Sequence, residues 1–396
     1  MLRRLVSGIG QGWQILGLSL LLLILIDRGL ATLLPAPGGW APMDPAAVAP
    51  DRTRAAAVAN DDWIGDYWRE HRAAKDTGWR SWVYWRRGPH AGEIIKVDAH
   101  GFRVTPGAVR DPRGEIWIFG GSLVWGTGNR DHGTLPAQIE QVLAEQAPEL
   151  GLRVLNFGES GYVSRQSLAA FDSALRCAGP LPAMAVFVDG ANDVYAALQA
   201  GRAGLPQNEA NRVLEFDSGR DALAALRALA RRFDGIARLA AAPPSEPDEA
   251  ALSVLAEAVA SDYLATVRHT RAIASAYAVP TMHVWQPTVM DRAEPRADEA
   301  ALGGASARRP VLLQRATRAA IARAAVGDPA LLDAGDVYDA VAESVFFDFV
   351  HVSERGQRLL AERIVEALHE RLSIPAVSIG AVAEPCSERP LTRAAD

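Results

Sequence analysis

The chain has 396 residues, 49% apolar and 22% charged, proportions of a globular protein with a sizeable core and not of a disordered one. Its 41 Lys and Arg against 47 Asp and Glu give a formal net charge of -6, which argues against a nucleic-acid binder, since such a protein needs a basic surface to displace counterions from phosphates. Lys75 and Lys96 are the two lysines, and Cys177 and Cys386 the two cysteines. That supply excludes a disulfide framework and a four-thiolate zinc site, and leaves few candidates for Schiff-base or phosphate-loop chemistry.

The chain opens with Arg3-Arg4, an apolar run from Leu5 to Ile26, and Asp27-Arg28. Roughly 20 apolar residues cross about 30 Å of hydrocarbon as a helix. A cleaved signal peptide would need a small-x-small site where Asp27-Arg28 stands, and Ala31 and Ala36 offer only weak substitutes. The expectation is an uncleaved signal anchor with Arg3 and Arg4 cytoplasmic and the remainder periplasmic or otherwise extracytoplasmic. Residues 31–61, rich in Ala, Pro and Gly, read as a linker. Residues 62–114 then form an N-terminal arm holding five of the ten tryptophans (Trp63, Trp68, Trp79, Trp82, Trp85) with Tyr67 and Tyr84. These rings serve either to pack the arm on the main domain or to offer a platform for sugar rings or a lipid interface.

From residue 115 to about 375, strand and helix alternate. Apolar runs at Ile116–Phe119, Arg153–Phe157, Ala183–Val188 and Thr281–Trp285 predict strands. Helical stretches are predicted near 134–147, 165–176, 220–241, 249–278, 308–326 and 353–372. The pattern predicts βαβ units and a mostly parallel sheet covered on both faces. Residues 286–310 read as a long surface loop, and 376–396 as a loosely ordered tail.

Functional loops of a parallel sheet follow its strands. After the first strand comes Gly120-Gly121-Ser122, after the second Asn156-Phe157-Gly158-Glu159-Ser160-Gly161, and after the third Gly190-Ala191-Asn192-Asp193. Asp348-Phe349-Val350-His351 precedes the last helix. A serine hydroxyl becomes a nucleophile when a base takes its proton and a third group orients the base. Ser122, His351 and Asp348 can fill those roles, Asp348 lying three residues before His351. The backbone N–H of Ser122, the N–H of Gly161 and the Asn192 amide can converge on an oxyanion. Ser160 is a weaker rival nucleophile, Asp193 reads as a loop brace, and Glu159 as solvated. No cofactor is implied, and no His-Glu-x-x-His or comparable cluster points to a metal.

Gly-Gly-Ser122, Asn156-x-Gly-x-x-Gly161, Gly190-x-Asn192-Asp193 and Asp348-x-x-His351, in this order, resemble the blocks of the SGNH (GDSL-like) hydrolase family. The resemblance implies a flavodoxin-like three-layer α/β/α sandwich, Ser122 as nucleophile, Gly161 and Asn192 as oxyanion donors, and Asp348 with His351 completing the triad. Gly121 departs from the family pattern, where many members carry Asp. Gly-Gly-Ser, with Asp98-Ala99-His100-Gly101-Phe102-Arg103 upstream, is similar to a membrane-anchored bacterial branch. The expected function is an extracytoplasmic serine esterase acting on acyl esters, O-acetyl esters of glycans among them. Two alternatives stand beside it: an O-acyltransferase modifying an envelope or exopolysaccharide glycan, and a non-catalytic glycan-binding envelope component. The cysteines are expected to remain unpaired, since nothing in the sequence brings them together.

Overall fold

The computed structural model describes residues 2–33, 55–109, 111–177, 179–218, 233, 248–302 and 308–369. The predicted tail, Cys386, and nearly all of the helix expected at 220–241 lie outside them. The chain forms two compact units, residues 1–43 with 208–246, and residues 44–207 with 247–396. The first contains helices Leu2–Leu33 and Glu209–Ser218. Between Trp13 and Leu33 the former holds an 18-residue stretch with a mean hydropathy of 2.0, long and apolar enough for a membrane span or a signal sequence. Its side chains from Trp13 to Ile26 are exposed. The helix runs three residues beyond the expected anchor, into the segment read as linker.

The second unit begins with the arm. Helix Ile64–Ala73 is followed by a hairpin of β1 (Thr77–Arg80) and β2 (Tyr84–Arg87), then by the short pair β3 (His90–Ala91) and β4 (Lys96–Val97). The arm has a small core of its own, where Ile64, Tyr67, Ile95 and Val97 pack with Trp125 and Phe347. Trp63 and Trp68 pack against that core, and Trp85 packs on Tyr162. Trp79 and Trp82 do not follow the packing expectation; they are 72% and 83% exposed.

The central sheet is built from β5 (Gly114–Gly120), β6 (Leu152–Asn156), β7 (Met184–Asp189), β8 (Thr281–Trp285) and β9 (Leu331–Asp333), all parallel, in the order β6-β5-β7-β8-β9. Strand β5 is buried along its whole length. Ile116 and Ile118 face one layer with helices Leu135–Gln146 and Glu354–His369, while Trp117 and Phe119 face the other with helix Ser164–Leu175. Burying each such side chain contributes roughly 1.5–3 kcal/mol. Helices Ala191–Ala200, Glu249–Ala276 and Arg308–Ala324 pack around Trp285 and Tyr263. The result is the expected three-layer α/β/α sandwich. His283 is, as expected, a strand residue. It stacks on Phe187 at 4.9 Å, and burial holds its pKa at about 3, so it is neutral.

Three expectations are corrected. Residues 286–310 are not a surface loop throughout: Gln286 and residues 288–292 are buried, and Ala297–Ala301 is helical. The Arg292–Glu299 ion pair, buried on both sides, holds this segment in. Glu159 is not solvated but fully buried, 3.4 Å from the Arg87 guanidinium. Cys177 is disulfide-bonded and not free.

Asp189 closes β7, and Asp193 follows in the next helix. Both are buried. Asp193 accepts 2.6 Å from the Ser164 hydroxyl, and Asp189 accepts 2.9 Å from that of Ser167. Desolvation raises both carboxyls, Asp193 to about 6, and repulsion from Asp193 raises Asp189 further. A raised carboxyl means the folded protein holds a proton that the unfolded chain releases. This contribution to stability is present below about pH 4; for Asp193 it is lost as the pH rises through about 6, and for Asp189, raised well above the usual carboxylate range, it falls steadily with rising pH. Asp189→Asn keeps an acceptor for Ser167 and removes a buried charge. Its Tm should therefore fall less than that of the parent between pH 5 and pH 7.5, as measured by thermal melts across that range.

Candidate active site

The strand order has a switch point between β5 and β7, where the loops leaving neighbouring carboxyl ends diverge and leave a crevice. Ser122 starts there, as the first residue of the four-residue helix Ser122–Trp125, with Gly121 as its N-cap. Asn192 lies in the first turn of the helix that follows β7. The Ser160–Tyr162 loop follows β6, with Gly161 at φ +80°, where an L side chain is disfavoured.

His351 arrives from the loop after β9. The bridge Phe346↔Val352 pinches that loop, and the Phe347 ring stacks on the imidazole at 5.9 Å. Asp348 is buried, and its Oδ1 accepts from the backbone N–H of His351 at 2.7 Å and of Val350 at 3.0 Å. Its Oδ2 lies 2.7 Å from His351 Nδ1, which places the ring proton on that nitrogen. On the other side, His351 Nε2 lies 2.7 Å from Ser122 Oγ. Carboxylate, imidazole and hydroxyl therefore form an unbroken chain. Such a chain can withdraw the serine proton as the hydroxyl attacks a carbonyl, and stabilise the imidazolium that results.

Of the candidate oxyanion donors, the Asn192 side chain approaches the backbone beside Ser122. A Cβ on Gly121 would stand 2.2 Å from Asn192 Nδ2, so the amide lies against the backbone just before the serine. That amide donates to the Tyr162 carbonyl at 2.8 Å, and its oxygen accepts from Gln207 Nε2 at 2.9 Å. Gly161 is one residue from Tyr162. Ser160 is otherwise engaged: its hydroxyl accepts from Arg87 Nη2 at 2.9 Å, and it lacks the imidazole partner that Ser122 has. Among the described residues no cluster of three or more His, Cys, Asp or Glu could hold a metal.

Several supporting residues were assigned no role from the sequence. The carbonyls of the short helix accept from side chains of three elements: Leu123 from Gln357 at 3.1 Å, Val124 from Asn156 at 3.0 Å, and Trp125 from Arg103 at 3.3 Å. Asn129 ties the loop after this helix to the Val352 carbonyl, beside His351. Asn156 and Arg103 stood in quoted motifs; Gln357 and Asn129 carried no signal beyond being polar.

A hydroxyl–imidazole–carboxylate chain at the carboxyl edge of a doubly covered parallel sheet defines a class, the α/β hydrolytic enzymes. Within it, the chain belongs to the GDSL-like lipase/acylhydrolase family, whose profile matches residues 116–364, and it is an ester-hydrolysing enzyme. No curated protein matches in sequence. Solved structures similar to it include an acetylxylan esterase from Geobacillus stearothermophilus, at 15% identity over 67% of this chain and 97% of that one, TM-score 0.36. Another is a carbohydrate acetylesterase family member from Sinorhizobium meliloti, at 17% identity over 66% and 100%, TM-score 0.35. A third is an α/β hydrolase enzyme from the metagenome of Lake Arreo, at 14% over 66% and 97%, TM-score 0.36.

The family's frequent Asp at position 121 is incompatible with this arrangement of Asn192. Gly121→Asp should displace the amide without unfolding the protein, because the obstructing atom is a side-chain end. A displacement of about 1 Å at a reacting centre costs on the order of 10²-fold in rate. The variant should show a fall in kcat of that order with an unaltered Tm, read by ester-hydrolysis kinetics and thermal melts.

Proposed function

We propose that the chain is a membrane-anchored, extracytoplasmic serine esterase that cleaves acyl esters, O-acetyl esters of envelope or exopolysaccharide glycans among them. The observation that carries the reading is the continuous chain from Ser122 Oγ through His351 to Asp348. Ser122 attacks the ester carbonyl while His351 takes its proton. The tetrahedral oxyanion sits against the N–H groups of Ser122 and Gly161 and the amide of Asn192. Collapse expels the alcohol, which receives the proton from His351, and leaves an acyl-enzyme. Water, deprotonated by the same imidazole, then releases the carboxylic acid.

The location rests on Arg3-Arg4 lying ahead of the exposed apolar stretch of the first helix, which tends to keep the chain's start cytoplasmic. A second reading, acyl transfer to a glycan hydroxyl, is favoured by exposed Trp79 and Trp82, since sugar faces stack on indole rings. Both readings share the acyl-enzyme and differ in the nucleophile that reaches it second.

Ser122→Ala should abolish turnover of an acetyl ester, and a serine-reactive phosphonate should label Ser122 in the parent, as located by mass spectrometry; an adduct on Ser160 would overturn the assignment. Asn192→Ala should lower kcat by roughly 10²–10³ if it donates to the oxyanion. Full-length protein should remain in membranes after carbonate washing, and release of a soluble form starting near residue 32–42 would mean a cleaved signal. With an acceptor glycan present, acetylated sugar accumulating at the expense of free acetate would favour transfer.

A further inference from the structure

The Gly161 N–H belongs to the same peptide unit as the Ser160 carbonyl. A trans peptide is planar, so its C=O and N–H point in opposite directions, and whatever holds one aims the other. The Ser160 carbonyl accepts from the Trp85 indole Nε1 at 2.9 Å. Trp85 lies in β2 of the arm, 75 residues away in sequence and outside the family-matched 116–364. Its ring edge stands 3.3 Å from where a Gly161 Cβ would be, and its own carbonyl accepts from the Tyr162 hydroxyl at 2.5 Å.

The neighbouring residues of β2 hold the indole in place. The Arg87 backbone N–H donates to Glu159 Oε2 at 2.9 Å, and its guanidinium donates to the Ser160 hydroxyl at 2.9 Å and to the Ala74 carbonyl at 2.9 Å. The other Glu159 oxygen accepts from the Ser160 N–H at 2.7 Å. Gln166 donates to the Val83 carbonyl at 2.7 Å. Both partners of the Arg87–Glu159 pair are buried, so this contact is screened little by salt or water.

We propose that Trp85 is a positioning residue for ester hydrolysis: its indole N–H fixes the Ser160–Gly161 peptide plane so that the Gly161 N–H faces the oxyanion. A donor on the carbonyl also polarises the peptide and strengthens its N–H as a donor. The proposal rests on the reading of Ser122 and Gly161 given above. It makes the arm part of the reaction centre, although the arm supplies no reacting atom.

The test compares full-length parent, Trp85→Phe, and a protein carrying benzothienylalanine at position 85, which keeps the bicyclic ring and replaces only the N–H by sulfur. Loss of one hydrogen bond of ordinary strength, felt in the transition state, should lower kcat for a small acetyl ester about tenfold. KM and Tm of the benzothienyl protein should stay at parental values. Full kcat in that protein, or a rise in KM with kcat retained, would overturn the proposal. Should Trp85→Phe fold poorly, the benzothienyl protein alone decides. Ser122→Ala in the same assay separates the two claims. Activity surviving in it would defeat the reading of the site, whereas an inactive Ser122→Ala beside a fully active benzothienyl protein would defeat only the role of Trp85.

Discussion

The site depends on how closely the ends of β5 and β7 approach one another. These two strands are hydrogen-bonded neighbours up to Gly120↔Val188, and the chain must then turn away from both at once. A Cβ on Gly120, at φ +155°, would fall 2.3 Å from the Val188 carbonyl, and one on Gly121 would fall 2.2 Å from the Asn192 amide. Two successive glycines therefore let the serine leave its strand while Asn192 closes in from the next. A parallel sheet makes this possible because all its strands finish on the same side, so residues separated by 70 positions in sequence meet at one edge.

Holding Ser122 still is a separate problem. A four-residue helix cannot sustain itself, since nucleation fixes several dihedrals for very few hydrogen bonds. Its last carbonyls have no helical partners and need others. Here Asn156, Gln357 and Arg103 provide them, from the sheet, the final helix and the arm. Arg103 also donates to the carbonyls of Gly126 and Asn129 at 2.7 Å each and pairs with Asp131, so one buried guanidinium braces the whole turn after the helix. The segment Asp98–Arg103 is thereby explained. Asp98 accepts the N–H groups of His100 and Phe102 to form the turn that sends Arg103 inward.

The four long strands could be read from apolar runs because a strand buried on both faces has nothing else to be. Strand β9 escaped notice because it has three residues, Leu331–Asp333, none of them fully buried. Ser122, Gly161 and Asn192 could be read because each follows a strand, where chain order becomes spatial neighbourhood, and Asp348 and His351 because they stand three residues apart just before the last helix. What was hidden depends on pairing across long separations. Glu159 in a glycine-flanked loop looks solvated until a buried arginine 72 residues earlier meets it. The β1–β2 hairpin was hidden for another reason: Trp82 in its turn and Tyr84 at the start of β2 stand at φ +69° and +70°, where bulky residues are rare and where Gly or Asn would have announced a turn.

That strained turn bears on what the arm is for. Left-handed aromatic residues cost of order 1–3 kcal/mol each and persist only where the surroundings enforce them. Here the strand that leaves the turn carries Trp85 and Arg87 directly onto the loop after β6, and the Val83 carbonyl between the strained residues accepts from Gln166. Arg87 and Arg103 bracket Trp125, the last residue of the short helix, with their guanidinium carbons 3.9 and 4.5 Å from its ring. Two arginines of the arm thus grip the same indole, one attached to the loop bearing Gly161 and the other to the loop that follows Ser122. A displacement of the arm would disturb both sides of the proposed oxyanion site together. The family match begins at residue 116, but the forces that shape the site begin some thirty residues earlier.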